Sequence, residues 1–145
     1  MRRRLGAGLL LLAVTGCATT GDTPSAETIT LAADVVDELA RGAVLVDVRG
    51  PTERRRDGVP RQAHLAIMFG QDDFSARVSA AETSRFRAQI AESAGPPGRR
   101  LILLCSVGVR SAAAARSLVG LGYTVSNVMD GWLGNDAGPG LRSAP

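Results

Sequence analysis

The chain has 145 residues, which is room for one domain with an independent hydrophobic core. Its formal charge of +3 comes from 17 cationic and 14 acidic residues, and every cation is an arginine. Three arginines lie at residues 2–4, so removing residues 1–16 leaves 14 arginines against 14 acidic residues and a formally neutral chain. The basic balance therefore belongs to the N-terminus, and it excludes a folded domain that binds nucleic acid through its net charge.

The N-terminal segment has the layout of an export signal. The arginines at 2–4 precede an apolar run at 5–14, and a transmembrane helix needs about 20 residues, so this run is too short to be one. It is typical of a secretory signal peptide. The residues that end it, Val14-Thr15-Gly16-Cys17, resemble the lipobox of bacterial lipoproteins.

The lipobox resemblance implies that the chain is cut before Cys17, which then carries diacylglycerol on its sulfur and an acyl chain on its amine. We therefore expect a signal peptide at 1–16, a flexible tether of small polar residues at 17–27 and a folded domain at 28–145. The protein would be anchored in a membrane of the cell envelope, facing the periplasm or the outside. The alternative is a conventional signal peptide that contains a cysteine by chance.

From residue 28 onward, short apolar runs alternate with amphipathic segments. In chain order we expect a short strand beginning at Ile29, a helix ending near Gly42, a buried strand at 43–48, a turn-rich connection at 51–60 and a buried strand at 65–69. There follow a helix that carries Phe86 and Ile90, a strand at 101–104, an Ala-rich helix at 111–121, a strand at 125–129 and an irregular tail. Strands separated by helices predict a small α/β domain, doubly wound, with a mainly parallel sheet.

Cys105 follows the strand at 101–104 directly, and Ser111 is expected to open the next helix. Ligands of such sheets bind beyond the carboxyl ends of the strands. A tight loop that leads into a helix directs several backbone N–H groups at one point and favours anions there, including the nucleophilic thiolate. Gly108 permits unusual backbone angles, and Arg110 offers a planar fork suited to an oxyanion. The simpler reading of Cys105 is a small buried apolar residue.

The string at 105–111, CSVGVRS, resembles the active-site loop of the rhodanese family, Cys-x-x-Gly-x-Arg-Ser/Ala. The resemblance extends over the chain from about residue 28. Asp47 and Arg49 match an Asp-x-Arg signature, with Glu53 in the place of a frequent glutamate. Further matches are Gly58-Val59-Pro60, a shortened form of a Gly-His-Ile-Pro segment, and Asp130-Gly131-Trp132, similar to a Gly-Gly-Trp turn.

The rhodanese resemblance implies a sulfurtransferase in which Cys105 takes sulfur from a small anion such as thiosulfate, holds it as a persulfide and passes it to cyanide or a thiol. The residues implied to bind substrate are the rest of the loop: Ser106, Val107, Gly108, Val109, Arg110 and Ser111. Asp47 and Arg49 are expected to support the loop through a salt bridge or hydrogen bonds. No metal and no cofactor are expected.

Two other functions remain open at this point. One is a non-catalytic rhodanese-homology module that binds a partner or senses a small anion or thiol. The other is a phosphatase or oxyanion reductase of related fold, which is disfavoured because cysteine phosphatases have five residues between the cysteine and the arginine, whereas four lie between Cys105 and Arg110. The chain departs from the rhodanese pattern at Gln62, where glycine is usual, and at Ser106, where a larger residue is frequent.

Overall fold

The structure is a computed structural model that describes residues 28–72 and 77–144. The segments expected to form the signal peptide, 1–16, and the tether, 17–27, lie outside the described residues, and so does Cys17. Within the two described ranges, no helix combines the length and the apolar character that a membrane crossing requires.

A five-stranded sheet forms the centre of the domain, and every strand pair in it is parallel. The spatial order is β1-β5-β4-β2-β3. The strands are β1 Thr28–Thr30, β2 Val44–Asp47, β3 His64–Ala66, β4 Arg100–Leu104 and β5 Thr124–Val128. This confirms the prediction of an α/β domain with a mainly parallel sheet.

Helices cover both faces of the sheet, as a parallel sheet requires. The helices are α1 Val35–Ala40, α2 Pro51–Asp57, α3 Ala80–Ser93 and α4 Val109–Leu118, with single 3-10 turns at Ala32–Asp34 and Leu141–Ser143. Phe86 and Ile90 of α3 pack with residues of α4 against one face of the sheet. Val35 of α1 and Leu141 of the C-terminal segment belong to the cluster on the other face.

The segment expected to be a turn-rich connection contains the helix α2, so that part of the prediction is wrong. The helix lacks apolar periodicity because it buries only Glu53. Its stability comes from its N-terminus, where Pro51 fits the first turn and the Glu53 carboxylate accepts the Gly50 N–H at 3.0 Å. Asp72 accepts the Thr52 N–H at 3.0 and 3.1 Å.

The carboxyl ends of β2 and β4 lie side by side at the centre of the sheet, with Asp47 paired in register to Leu104. From β2 the chain continues to β3 on one side, and from β4 it continues to β5 on the other side. The connections diverge here, which opens a crevice of the kind where α/β sheets bind ligands. Cys105 and Arg49 both follow these strand ends.

Candidate active site

The loop that follows β4 is shorter than expected, because α4 begins at Val109 and not at Ser111. Gly108 caps the helix with a φ of +86°, in the left-handed region that favours glycine. A Cβ at this position would also collide with the carbonyl oxygen of Met129. Gly108 therefore lets the chain turn from strand to helix within three residues after Cys105.

The Cys105 sulfur lies inside this turn and is surrounded by donors. Sγ accepts a hydrogen bond from the Gly108 N–H and another from the Ser111 hydroxyl, both at 3.2 Å. The side chain is 1% exposed, and Cys105 is a free cysteine. The sulfur thus has polar partners on the helix side, while Cys105 is also part of the hydrophobic cluster on this face of the sheet.

Arg110 has a different partner from the substrate oxyanion that we expected. Its Nη2 donates to both carboxylate oxygens of Glu53, at 2.6 Å each, and its Nη1 donates to the Gln71 carbonyl at 3.2 Å. Arg110 and Glu53 are both buried. The guanidinium therefore fixes the start of α4 to α2 and to the segment after β3.

Glu53 is the residue whose role the sequence did not reveal. Besides Arg110, its carboxylate accepts the Ser106 hydroxyl at 2.8 Å and the Gly50 N–H at 3.0 Å. The signal that could have found it is local: Pro51 followed by a glutamate at the third helical position is typical of a helix N-terminus. That position places the carboxylate beneath the loop.

Asp47 and Arg49 form a fully buried ion pair beside the loop. Arg49 donates from Nε and Nη2 to the two Asp47 carboxylate oxygens at 2.9 and 2.7 Å, and its Nη2 also donates to the Gly58 carbonyl at 3.0 Å. The guanidinium carbon lies 4.8 Å from the ring centroid of Trp132. Trp132 in turn donates its backbone N–H to the Cys105 carbonyl at 2.8 Å. The pair therefore supports the loop indirectly.

The electrostatics of α2 also reach the site. The Thr52 side chain donates a hydrogen bond to Asp72 and, with the backbone N–H groups of Thr52 and Glu53, holds the pKa of Asp72 below its usual range. A carboxylate at the N-terminus of a helix is favoured by the helix dipole as well. Asp72 thus stays ionised at neutral pH and keeps the segment after β3 against α2.

Of the predicted substrate-binding residues, only Gly108 and Ser111 donate to the Cys105 sulfur in the described contacts, whereas the Ser106 and Arg110 side chains bond to Glu53. Ser106, Arg110 and Ser111 are buried, whereas Val107 and Val109 are exposed. The Gly108 N–H, just before α4, donates to the sulfur, and the first N–H groups of a helix have no partner within it. Such a ring of donors suits an anionic sulfur or a small oxyanion.

Comparisons with known proteins give the family and the fold. The family model for the rhodanese-like domain matches residues 31–135. The crystal structure of reduced CoADR-RHD from Bacillus anthracis has a TM-score of 0.51 at 22% identity, and the match covers 72% of this chain but 16% of that chain. That likeness shows the fold alone.

A protein of unknown function from Rhodopseudomonas palustris, described as a possible tyrosine phosphatase, has a TM-score of 0.42 at 22% identity, with 70% of this chain and 76% of that chain covered. Among curated proteins, none matches. Because the family model spans most of the chain, the chain belongs to the rhodanese-like domain family.

Proposed function

We propose that the protein is a sulfurtransferase that carries sulfane sulfur as a persulfide on Cys105. The observation that carries this proposal is the Cys105 sulfur in a four-residue turn, with the Gly108 N–H and the Ser111 hydroxyl both donating to it at 3.2 Å. These donors favour negative charge on the attacking sulfur and, afterwards, on the persulfide. Four residues lie between Cys105 and Arg110, one fewer than in cysteine phosphatases, and this shorter loop further favours a sulfur atom over the larger phosphate group.

The proposed reaction has two steps, with thiosulfate as the representative donor. The Cys105 thiol first loses its proton to solvent, and the thiolate attacks the outer sulfur of thiosulfate. A new S–S bond forms, the S–S bond of thiosulfate breaks, and sulfite leaves with the electron pair. Cyanide or a thiolate then attacks the outer sulfur of the persulfide, and the Cys105 thiolate leaves unchanged.

In this reaction Arg110 acts on the loop and not on the donor. Its ion pair with Glu53, together with the Ser106 hydroxyl on the same carboxylate, holds the turn in the shape that gathers the N–H groups. Arg110 is thus a positioning residue in this proposal, and the amides of the first turn of α4 receive the charge.

Thiocyanate production tests the proposal. The full chain is incubated with thiosulfate and cyanide, and the thiocyanate released is measured. In a second incubation, with thiosulfate alone, the mass of the protein is measured. We expect thiocyanate to form and the protein to gain the mass of one sulfur atom. The Cys105→Ser variant should show neither. Arg99→Gln, at an exposed residue before the start of β4 and so at the opposite end of that strand from Cys105, serves as a control that should show both.

The alternative is a binding or sensing module without turnover. Two observations favour it: the Cys105 side chain is 1% exposed, and the Arg110 guanidinium is engaged by Glu53. A chain that gains no sulfur and releases no thiocyanate, while it still binds thiosulfate or a thiol, would support this alternative against the sulfurtransferase.

We propose further that the chain is anchored in the cell envelope through lipid on Cys17. The support is the sequence alone: arginines at 2–4, the apolar run at 5–14 and the lipobox-like ending before Cys17. Expression in bacteria with a radiolabelled fatty acid should label the chain and place it in the membrane fraction. Cys17→Ala should abolish the label, whereas Cys105→Ser should keep it.

A further inference from the structure

A cavity of about 440 Å³ lies between Trp132, the segment at 59–62 and the C-terminal turn Leu141–Ser143. Small-molecule sites in proteins have volumes of about 300–1,000 Å³. Trp132 and Leu141 belong to the core cluster on one face of the sheet, whereas Cys105 belongs to the cluster on the opposite face. None of the residues at 105–111 lines the cavity, and Trp132 contacts Cys105 only through its backbone bond to the Cys105 carbonyl in the described contacts.

Two arginines from distant parts of the chain, Arg61 and Arg142, line this cavity. Within the described ranges, neither guanidinium has a carboxylate at ion-pair distance. Asp57 is close enough to feel the charge of Arg142, but the pKa of Asp57 is lowered first by its hydrogen bonds with Arg56. The cavity thus carries a net positive charge.

Trp132 supplies a rigid aromatic wall. Its Nε1 donates to the Asp57 carbonyl at 2.9 Å, and the Arg49 guanidinium lies 4.8 Å from its ring centroid. Val59 and Leu141 add apolar surface to the same cavity, and Gln62 adds a carboxamide. An apolar wall beside two planar cations suits a ligand that has both an acid group and a flat apolar body.

We propose that this cavity binds a small organic anion whose carboxylate or sulfonate lies between Arg61 and Arg142 and whose apolar body packs against Trp132. Guanidinium groups bind such acid groups with paired, charge-assisted hydrogen bonds, which are stronger than those to a neutral ligand. The site needs neither Cys105 nor sulfur transfer.

Trp132 is the single tryptophan of the chain, so its fluorescence reports on the cavity directly. Benzoate, titrated into the full chain, should change the Trp132 emission in a saturable manner. Benzamide has the ring without the charge, and acetate has the charge without the ring. We expect each to bind at least about fivefold more weakly than benzoate.

Charge-removing variants test the two arginines. Arg61→Gln and Arg142→Gln should each weaken benzoate binding at least about fivefold, and the double variant should lose saturable binding. Arg99→Gln is the matched control, because Arg99 is exposed and does not line the cavity. It should bind benzoate as the wild type does.

The Cys105→Ser variant separates this proposal from the sulfurtransferase. It should bind benzoate with unchanged affinity even though sulfur transfer is lost, so that either proposal can fail without the other. The cavity proposal is overturned if benzoate gives no saturable change in Trp132 fluorescence, or if benzamide binds as tightly as benzoate. It is also overturned if the Arg61→Gln/Arg142→Gln double variant, shown to be folded by its circular dichroism spectrum, binds benzoate like the wild type.

Discussion

Glu53 connects three parts of the site through one carboxylate. It accepts the Ser106 hydroxyl from the loop, the Arg110 guanidinium from α4 and the Gly50 N–H from the start of its own helix. Glu53 is 2% exposed, so its charge depends on these donors in place of water. The shape of the loop around Cys105 therefore depends on a residue that does not touch the sulfur in the described contacts.

Replacing Glu53 by glutamine keeps the size of the side chain but removes its charge, and so removes its ion pair with the buried Arg110 guanidinium. We expect a loss of about 3–5 kcal/mol in the free energy of unfolding, because breaking a buried pair leaves one charge uncompensated. Urea unfolding followed by circular dichroism measures this loss. Persulfide formation on Cys105 should slow by more than about tenfold. It is followed by mass spectrometry without urea, at a temperature at which the variant is folded.

Glu92→Gln is the control for this variant, since Glu92 is an exposed residue of α3. Its unfolding free energy should stay within about 0.5 kcal/mol of the wild type. Equal urea midpoints for Glu53→Gln and Glu92→Gln would contradict the bridging role of Glu53. An unchanged rate of persulfide formation in folded Glu53→Gln would contradict its effect on the loop.

The helix α3 begins with a capping box, and this element gives the domain a pH-dependent stability. The Glu82 carboxylate accepts the Ser79 N–H and the Ser79 hydroxyl, both at 2.7 Å, and the Glu82 N–H donates back to the Ser79 hydroxyl at 3.2 Å. The backbone bond, followed by the hydroxyl bond, lowers the pKa of Glu82 from its usual value of 4.5.

The pKa of Glu82 is lower in the folded state than in the unfolded state. The carboxylate therefore contributes fully to the stability of the fold above pH 4.5, and this contribution is lost as the pH falls through the folded-state pKa. We expect Glu82→Gln to be less stable than the wild type at neutral pH, with the difference shrinking as the pH falls well below 4.5. Urea midpoints across this range measure it. Ser79→Ala keeps the backbone donor to Glu82, so its difference from the wild type should change less with pH. A Glu82→Gln difference that stays constant with pH would contradict the assignment.

The elements also show where sequence patterns succeed and fail. The strands β2 and β4 could be predicted because each is a short continuous apolar run, typical of a buried parallel strand, and the helix α3 because Phe86 and Ile90 recur at helical spacing. The helix α2 was missed because it buries only Glu53 and so has no apolar periodicity. Pro51 and Glu53 are a local signal for its N-terminus, whereas the contact of Thr52 with Asp72, 20 residues away, has none. The early start of α4 escaped prediction because the left-handed Gly108 ends the loop sooner than the apolar pattern indicates.

The same distinction applies to the site. The cysteine, glycine and arginine of the loop are close in sequence, so their spacing alone indicated a cradle for an anion. The partner of Arg110 is Glu53, 57 residues earlier, and no local pattern connects the two. Asp47, the last residue of β2, and Arg49 were expected to support the loop through a salt bridge or hydrogen bonds, and an ion pair between them is observed.

For the molecule as a whole, the buried Asp47–Arg49 pair joins the end of β2 to the end of α2 and to the C-terminal segment. Both side chains are 0% exposed, and Arg49 also contacts the Gly58 carbonyl and the Trp132 ring. Removing one partner leaves the other charge buried, whereas removing both leaves mainly a change in packing. The two charges should therefore be strongly coupled in their effect on stability.

We expect Arg49→Met to lower the free energy of unfolding by about 3–5 kcal/mol. The Asp47→Asn/Arg49→Met double variant should lose less than the sum of the two single losses, with a coupling energy of up to about 3 kcal/mol. Urea unfolding of all four chains by circular dichroism gives this coupling. The exposed pair of Glu38 and Arg100, whose arginine side chain is 48% exposed, is the matched comparison and should couple by less than about 1 kcal/mol. Equal coupling in the two cycles would mean that burial does not strengthen the central pair, and that Arg49 supports the loop by packing against Trp132 and not by its charge.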